Sequence, residues 1–363
     1  MDKEKSFEIL CTQVKSCTNC ERMQHSAKIL GPASGRVLAE AMFIGEAPGR
    51  LGADDTGIPF YGDKSGHNFE ALLEFANISR SEIFVTNAVL CNPRSEDGNN
   101  ATPKTNEIAN CSAFLKQQID VVDPKIIVTI GATALRALTY IEPHKLTLKE
   151  SVRTRCNWYG RILIPIYHPG QRAMLHRSFI NQQSDYKFIS DVMKSQGVKK
   201  KKVYGKVGES LIDLVQYILN KQKYISYFAL HKIVYLVEYN LHKTHGILYT
   251  GAYFIRQKDG PYCTNLHIQK IKNTFKDIHT STIKKKLYLE DSSSSLFPEP
   301  SKLSQSQDPM DQEACAIVDE LLEKTDEELK KKSYLSKPMR KAIRKERKDG
   351  VGTYNAQLAF EEG

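Results

Sequence analysis

AMFIGEAPGRLGADDTGIPFYGDKSG, residues 41–66, opens on an apolar run, Ala41 to Ile44, and passes at Gly45 into a loop rich in glycine. The apolar run reads as a buried strand. Gly-rich backbone at a strand end lets a ligand approach closely and frees N–H groups to face an anion. The loop carries neither G-x-G-x-x-G nor GK[ST], the two nucleotide-loop signatures. Glu46 stands at the turn directly after the strand, where a carboxylate can orient or deprotonate a water. The plainer alternative is a charge at a helix N-terminus.

Working outward, strand-like and helical patterns alternate: Asn68 to Phe75, Ile83 to Leu90, Asn106 to Ile119, Ile126 to Ile130, Ala132 to Tyr140, Ile162 to Tyr167 and Asp185 to Met193. This alternation predicts an α/β fold, a parallel sheet covered by helices on both faces. In such sheets ligands bind beyond the carboxyl ends of the strands, where Gly45-Glu46, Asn87 and His168 all fall.

A chain of 363 residues is longer than one core usually grows. The expected division is a first domain over 1–194, a basic polar linker over 195–205 and a mainly helical second domain over 206–363. Helical spacing covers Ser210 to Leu219, Ala229 to Leu241 and Ala314 to Leu329, Ala252 to Arg256 reads as a short strand, and Ser292 to Pro309 as a Ser/Pro-rich loop. No apolar run approaches the ~20 residues of a membrane span. MDKEKSFEILCTQ has no basic start followed by an apolar stretch, so a cytoplasmic protein without a membrane partner is expected. The net charge of +10 has the sign of a protein that meets a polyanion, although much of it sits in runs such as Lys199 to Lys202 and Lys284 to Lys286.

Eight cysteines in such a chain are free thiols or metal ligands more readily than disulfides. Cys17 and Cys20 form a C-x-x-C pair, Cys91 follows a strand and Cys111 lies on the next helix. Four thiolates suit tetrahedral zinc or a four-iron cluster. Cys11 is a conceivable further ligand, whereas Cys156, Cys263 and Cys315 are isolated.

The order of the 45–66 loop, VTNAVLCNP (Val85 to Pro93) and IYHPG (Ile166 to Gly170) resembles the uracil-DNA glycosylase superfamily, in particular its iron-sulfur branches, families 4 and 5. The resemblance runs from about Cys11 to Met193. It implies a DNA glycosylase with an α/β/α sandwich of that type, and a 4Fe-4S cluster rather than zinc on Cys17, Cys20, Cys91 and Cys111. It further implies that Glu46 positions the attacking water and that His168 supplies a donor to the departing base. Phe60 would stack on the flipped base, Asn87 would read its pyrimidine edge, and Ala47 and Gly49 would line the base pocket. The chemistry asks for this set independently: positive charge develops on the sugar and negative charge on the base, and the nucleotide must leave the stack. No lysine falls on a Schiff-base position, so the expected product is an abasic site.

QRAMLHRSF, Gln171 to Phe179, mixes cations with apolar side chains. Arg172 and Arg177 are candidates for phosphates, and Met174 and Leu175 for a wedge into the stack, with an ordinary helix start as the alternative. Gly49 beside Pro48 reads as an open wall that would admit a 5-substituted pyrimidine.

ALHKIVYLVEYNLHKTHGILYTGAYFIRQKDGPY, Ala229 to Tyr262, resembles a Panacea-type antitoxin-associated domain, at HKIVYL and the GPY turn. That resemblance implies a protein partner and a setting in bacterial conflict with phage. Together the two resemblances suggest excision of hydroxymethylated or glucosylated cytosine in anti-phage defence, with uracil repair as the rival. A non-catalytic DNA-binding or antitoxin-type protein is the third reading. His231, His242, His245 and His267 lack cysteine or acidic partners at metal-ligand spacing and read as structural.

Overall fold

A computed structural model describes residues 2–198, 203–204, 208–275, 277–291, 301–349 and 353–360. The chain divides into two compact units, Met1–Lys200 and Lys201–Gly363. The basic run Lys199 to Lys202, part of the expected linker, lies outside the described residues, as do 292–300 of the expected Ser/Pro-rich loop.

The first unit is built on five strands: β1 Ala41–Gly45, β2 Ile83–Asn87, β3 Ile126–Ile130, β4 Cys156–Trp158 and β5 Arg161–Ile166. Their order is β2-β1-β3-β5-β4, with the first four parallel and β4 antiparallel to β5 at the edge. Strand side chains alternate between faces, and both faces are apolar here. Phe43, Val85, Val128 and Ile164 join one core with Phe69, Leu72 and Leu73 of the Lys64–Phe75 helix and Tyr186 and Ile189 of the Phe179–Ser195 helix. Met42, Ile44, Phe84, Ile127 and Leu163 point the other way. They pack against Phe7 and Leu10 of the Lys3–Lys15 helix and Ile108, Leu115 and Ile119 of the Thr105–Val122 helix. Every residue of β1, β2 and β3 is buried, which explains their largely apolar character, broken only by Thr86, Asn87 and Thr129.

The second unit is organised on the Tyr227–His245 helix, buried among the Glu209–Lys221, Pro309–Leu322 and Asp326–Tyr334 helices. It also contains more sheet than the helical spacing conveyed. β6 Tyr224–Ser226, β9 Ile278–Ile283 and β10 Lys286–Asp291 form an antiparallel sheet in the order β6-β10-β9, and β7 Phe254–Gln257 pairs with β8 Gly260–Cys263. β9 and β10 flank Lys284 and Lys285, whose φ of 48° and 66° are those of a tight turn. A run of charge thus conceals a hairpin. The single helix expected over Ala314 to Leu329 is two helices, broken where Thr325 and Glu328 form a reciprocal cap.

HKIVYL proves to be packing. His231 Nδ1 accepts from the Cys263 N–H at 3.0 Å, and Lys232 Nζ donates to the Pro261 carbonyl at 2.7 Å, fastening the GPY turn to the helix. His245 meets Glu313 at 2.7 Å and His267 caps a helix.

Candidate functional site

Gly45 pairs with Asn87, and the Gly131 N–H donates to the Ile166 carbonyl, so β1, β2, β3 and β5 all end on one edge. There three groups crowd together. A Cβ on Gly45 would lie 2.5 Å from Asn87 Oδ1 and 2.6 Å from the Phe60 ring, so the missing side chain is what lets amide and ring meet. Asn87 is only 2% exposed, yet its amide makes no hydrogen bond to any described residue. A buried amide with no protein partner has a donor and an acceptor to offer a ligand. Glu46 follows directly, half-buried, its backbone carbonyl accepting from the Val89 N–H at 3.0 Å.

Phe60 has φ 50°, an uncommon conformation for an aromatic residue. It is held from both sides. Its ring lies against Phe69 at 4.8 Å and His168 at 5.8 Å. Behind it the buried Arg80 donates to the Pro59 carbonyl, pairs with Glu70 at 2.7 Å and lies 5.5 Å from the Phe69 ring.

His168 follows β5. Its Nδ1 accepts from the Gly170 N–H at 3.0 Å, which assigns the ring proton of the neutral form to Nε2. Desolvation holds its pKa below the usual histidine value, and the charge of Asp63 opposes that shift. The Pro169 carbonyl accepts from Asn68 Nδ2 at 2.7 Å, tying this turn to the Lys64–Phe75 helix.

The loop after Glu46 is fixed by polar contacts from elsewhere in the chain. Asn92 Nδ2 donates to the Pro48 carbonyl at 2.6 Å and to Asn100 Oδ1 at 2.9 Å, and the Arg50 N–H donates to the same Asn100 oxygen. Arg94 reaches Asp54 at 2.8 Å. The open wall expected at Gly49 is not open on its Cβ side: a Cβ there would lie 2.7 Å from Asp63 Oδ2. That carboxylate fills the space, while its Oδ1 accepts from the Gly66 N–H at 2.8 Å.

Cys17, Cys20, Cys91 and Cys111 line one pocket with Asn19, Met23, Gln24, Lys28 and Asn110. Burial pushes the Cys91 thiol up to about 11 and Cys111 up to about 12, with the neighbouring cysteines adding to both. Asn110 Nδ2 donates to the Asn19 carbonyl at 3.2 Å and toward Cys20 Sγ at 3.5 Å. Arg22 clasps Glu107 through two bonds of 2.8 and 2.6 Å, anchoring the segment after C-x-x-C to the helix that carries Cys111. Cys11 belongs instead to the core.

Residues 32–193 match the model of the uracil DNA glycosylase superfamily. A type-4 uracil-DNA glycosylase of Thermotoga maritima is 33% identical over 169 residues, 46% of this chain and 83% of that protein. The chain belongs to the uracil DNA glycosylase superfamily. A type-4 uracil-DNA glycosylase of Archaeoglobus fulgidus is 28% identical over 195 residues, covering 52% of this chain and 94% of that one. A type-5 uracil-DNA glycosylase of Pyrobaculum aerophilum is 33% identical over 123 residues, 30% of this chain and 52% of that protein. The span matched by the superfamily model lies within the first compact unit.

In this member of the superfamily the rim beyond His168 divides unevenly. Leu175 is 85% exposed, Arg172 is exposed and Met174 is half-buried. Arg177, expected to face phosphate, is instead held by the buried Asp185 through Nε at 2.9 Å and through Nη2. Sequence reasoning passed over Arg80, Asp63, Asn68, Asn92 and Asn100. Asn92-Pro93 directly after Cys91 and Asp63 as the N-cap of the Lys64–Phe75 helix are local signals among them; Arg80 and Asn68 act on partners remote in the chain.

Proposed function

We propose that this protein is a monofunctional DNA glycosylase that flips a pyrimidine nucleotide out of the stack and hydrolyses its N-glycosidic bond. The observation that carries the reading is the buried Asn87 amide, without a hydrogen-bond partner among the described residues, set against the Phe60 ring beside Glu46 and His168. A flipped pyrimidine satisfies it: stacking on Phe60 and pairing with both ends of Asn87. As the C1′–N1 bond breaks, its electron pair passes to the base, where His168 donates from Nε2. Glu46 orients a water toward C1′ and takes its proton, leaving an abasic site.

Uracil in base-excision repair is the substrate this reading favours, since several relatives bear the name uracil-DNA glycosylase. Asp63 Oδ2 beside Gly49 supports a second reading, because a carboxylate there can accept from a 5-hydroxymethyl group or an exocyclic amine and so admit a 5-modified cytosine. That substrate belongs with the anti-phage setting. Mass spectrometry of bases released from uracil-containing, 5-hydroxymethylcytosine-containing and unmodified duplexes separates the two. Free uracil alone supports repair, 5-hydroxymethylcytosine alone supports defence, and no base from any duplex, or from single strands, refutes the glycosylase.

The four-cysteine pocket fits a 4Fe-4S cluster. The thiols of Cys91 and Cys111, raised by burial, need a strong positive charge to ionise, and Asn110 offers an N–H to the Cys20 sulfur. The pocket's lining offers four cysteine sulfurs and neither histidine nor carboxylate, a donor set suited to an iron-sulfur cluster. Such a cluster supplies cross-linking between the N-terminal segment and the sheet. Iron and acid-labile sulfide in the purified protein are expected; zinc alone would contradict this assignment.

A further inference from the structure

The Lys337–Asp349 helix, KPMRKAIRKERKD, is the last helix among the described residues and belongs to neither the HKIVYL packing motif of the second unit nor the proposed site. One side of it is buried: Pro338, Met339 and Ala342 are in the interior and Ile343 packs against the same core. Glu346 lies on that side too, paired with Arg256 at 3.0 Å. Lys337, Arg340, Lys341, Arg344, Arg347 and Lys348 are all exposed. At 3.6 residues per turn these six fall within an arc of about 120°, one unbroken stripe along a helix about 20 Å long. Among the described residues, Lys337, Arg340, Arg344, Arg347 and Lys348 have no ion-pair partner within 4.0 Å. Surface cations commonly alternate with acids or pair with them, as Lys332 does with Glu320 and Lys330 with Asp259. Five of the six cations in this stripe, Lys337, Arg340, Arg344, Arg347 and Lys348, do neither among the described residues.

We propose that the exposed face of this helix binds the phosphate backbone of duplex DNA without reading sequence, a second grip on the polymer whose base the first unit excises. Charge complementarity argues for a polyanion. A row of unpaired guanidinium and ammonium groups gains by displacing condensed counterions from phosphates. A membrane surface is the poorer partner, because the helix's apolar side is already occupied by its own core and has nothing left to insert. Because both units are on one chain, a loose grip by the second raises the local concentration of DNA around the first.

The proposal takes DNA as the substrate of the first unit, and its test is read on undamaged duplex so that base release does not enter. The full chain and a combined Arg340→Gln, Arg344→Gln, Arg347→Gln, Lys348→Gln variant are titrated with a labelled duplex across a series of salt concentrations. Each lost phosphate contact should flatten the plot of log K against log[salt] by about 0.9, so the variant's slope falls by about 2 to 4 and its affinity by about tenfold or more. A second variant with Arg340, Arg344 and Arg347 changed to Lys keeps the charge and should keep the slope. Circular dichroism identifies either variant that misfolds, in which case the charge-preserving variant and single Arg→Gln changes carry the comparison. An unchanged slope in the folded neutral variant overturns the proposal. So does a loss of binding confined to phosphatidylserine vesicles or to double-stranded RNA while duplex DNA binding persists. Base release at saturating enzyme should be the same in all variants; that assay alone reports on the first unit.

Discussion

Asn87 and His168 are where single side chains set the outcome. Replacing Asn87 with Ala removes both base-edge contacts while leaving a residue that β2 accommodates, so base release should fall by about 10- to 1000-fold. Thermal stability should change little, since the amide has no partner to lose among the described residues. For His168 the sign follows from burial. Its folded pKa lies below that of the unfolded chain, so the neutral donor form persists as pH falls through the ordinary histidine range and is lost only below it. The acid limb of the rate should therefore lie below pH about 6.5, and Asp63→Asn should move it lower still, since Asp63 raises the histidine's affinity for a proton. NMR titration of the His168 ring checks both. Glu46 and His168 were legible in the sequence because each stands just beyond a strand end, beside Gly45 or Pro169, whereas Phe60, well past β1, and Asn87, at the end of β2, were picked out by the resemblance to the glycosylase superfamily. Arg80 was not, because what it does depends on the Pro59 carbonyl 21 residues away and on a ring and a carboxylate from a helix between them.

Among the elements, the parallel strands of the first unit and its helices Lys64–Phe75, Thr105–Val122 and Phe179–Ser195 declared themselves through their apolar pattern, whereas the Lys3–Lys15 helix was not read from the sequence. Nor was the β9–β10 hairpin. Most of its exposed residues are polar, only Ile278 and Leu289 of the hairpin are buried, and its turn is written in lysine. The C-x-x-C segment is held to the Thr105–Val122 helix by Asn110 and by one ion pair, Arg22 with Glu107, whose carboxylate side chain is 5% exposed. Arg22→Ala leaves that acid buried and unpaired, a loss of about 3–5 kcal/mol where no relaxation occurs. Iron content per chain should drop in step with unfolding temperature. Lys232 offers a test in the second unit. Burial draws its pKa down to about 7, so the unfolded chain holds more protons than the folded one between pH 7 and the ordinary lysine range. Its contribution to stability therefore rises with pH across that interval and is lost below it. Lys232→Met should flatten the rise in denaturant unfolding of that unit.

For the molecule as a whole, each unit closes its own cores: those of the first draw on residues between Phe7 and Val198, and that of the second on residues from Val203 onward. A chain ending at Val198 should accordingly fold, hold its cluster and release base at saturating enzyme with the rate of the full protein, while binding undamaged duplex more weakly. Loss of all base release by a folded truncation would mean that the second unit helps to build the site. The central claim is that the edge of the first unit's sheet is an active site for pyrimidine excision, and one measurement meets it directly. Full-length protein and its Asn87→Ala and Glu46→Ala variants are incubated with a duplex carrying a single deoxyuridine, and free base is quantified by mass spectrometry. Stoichiometric uracil and an alkali-labile abasic site from the native protein, with both variants slowed by about tenfold or more, is the expected result; equal release by all three proteins would place the chemistry somewhere other than at Asn87 and Glu46.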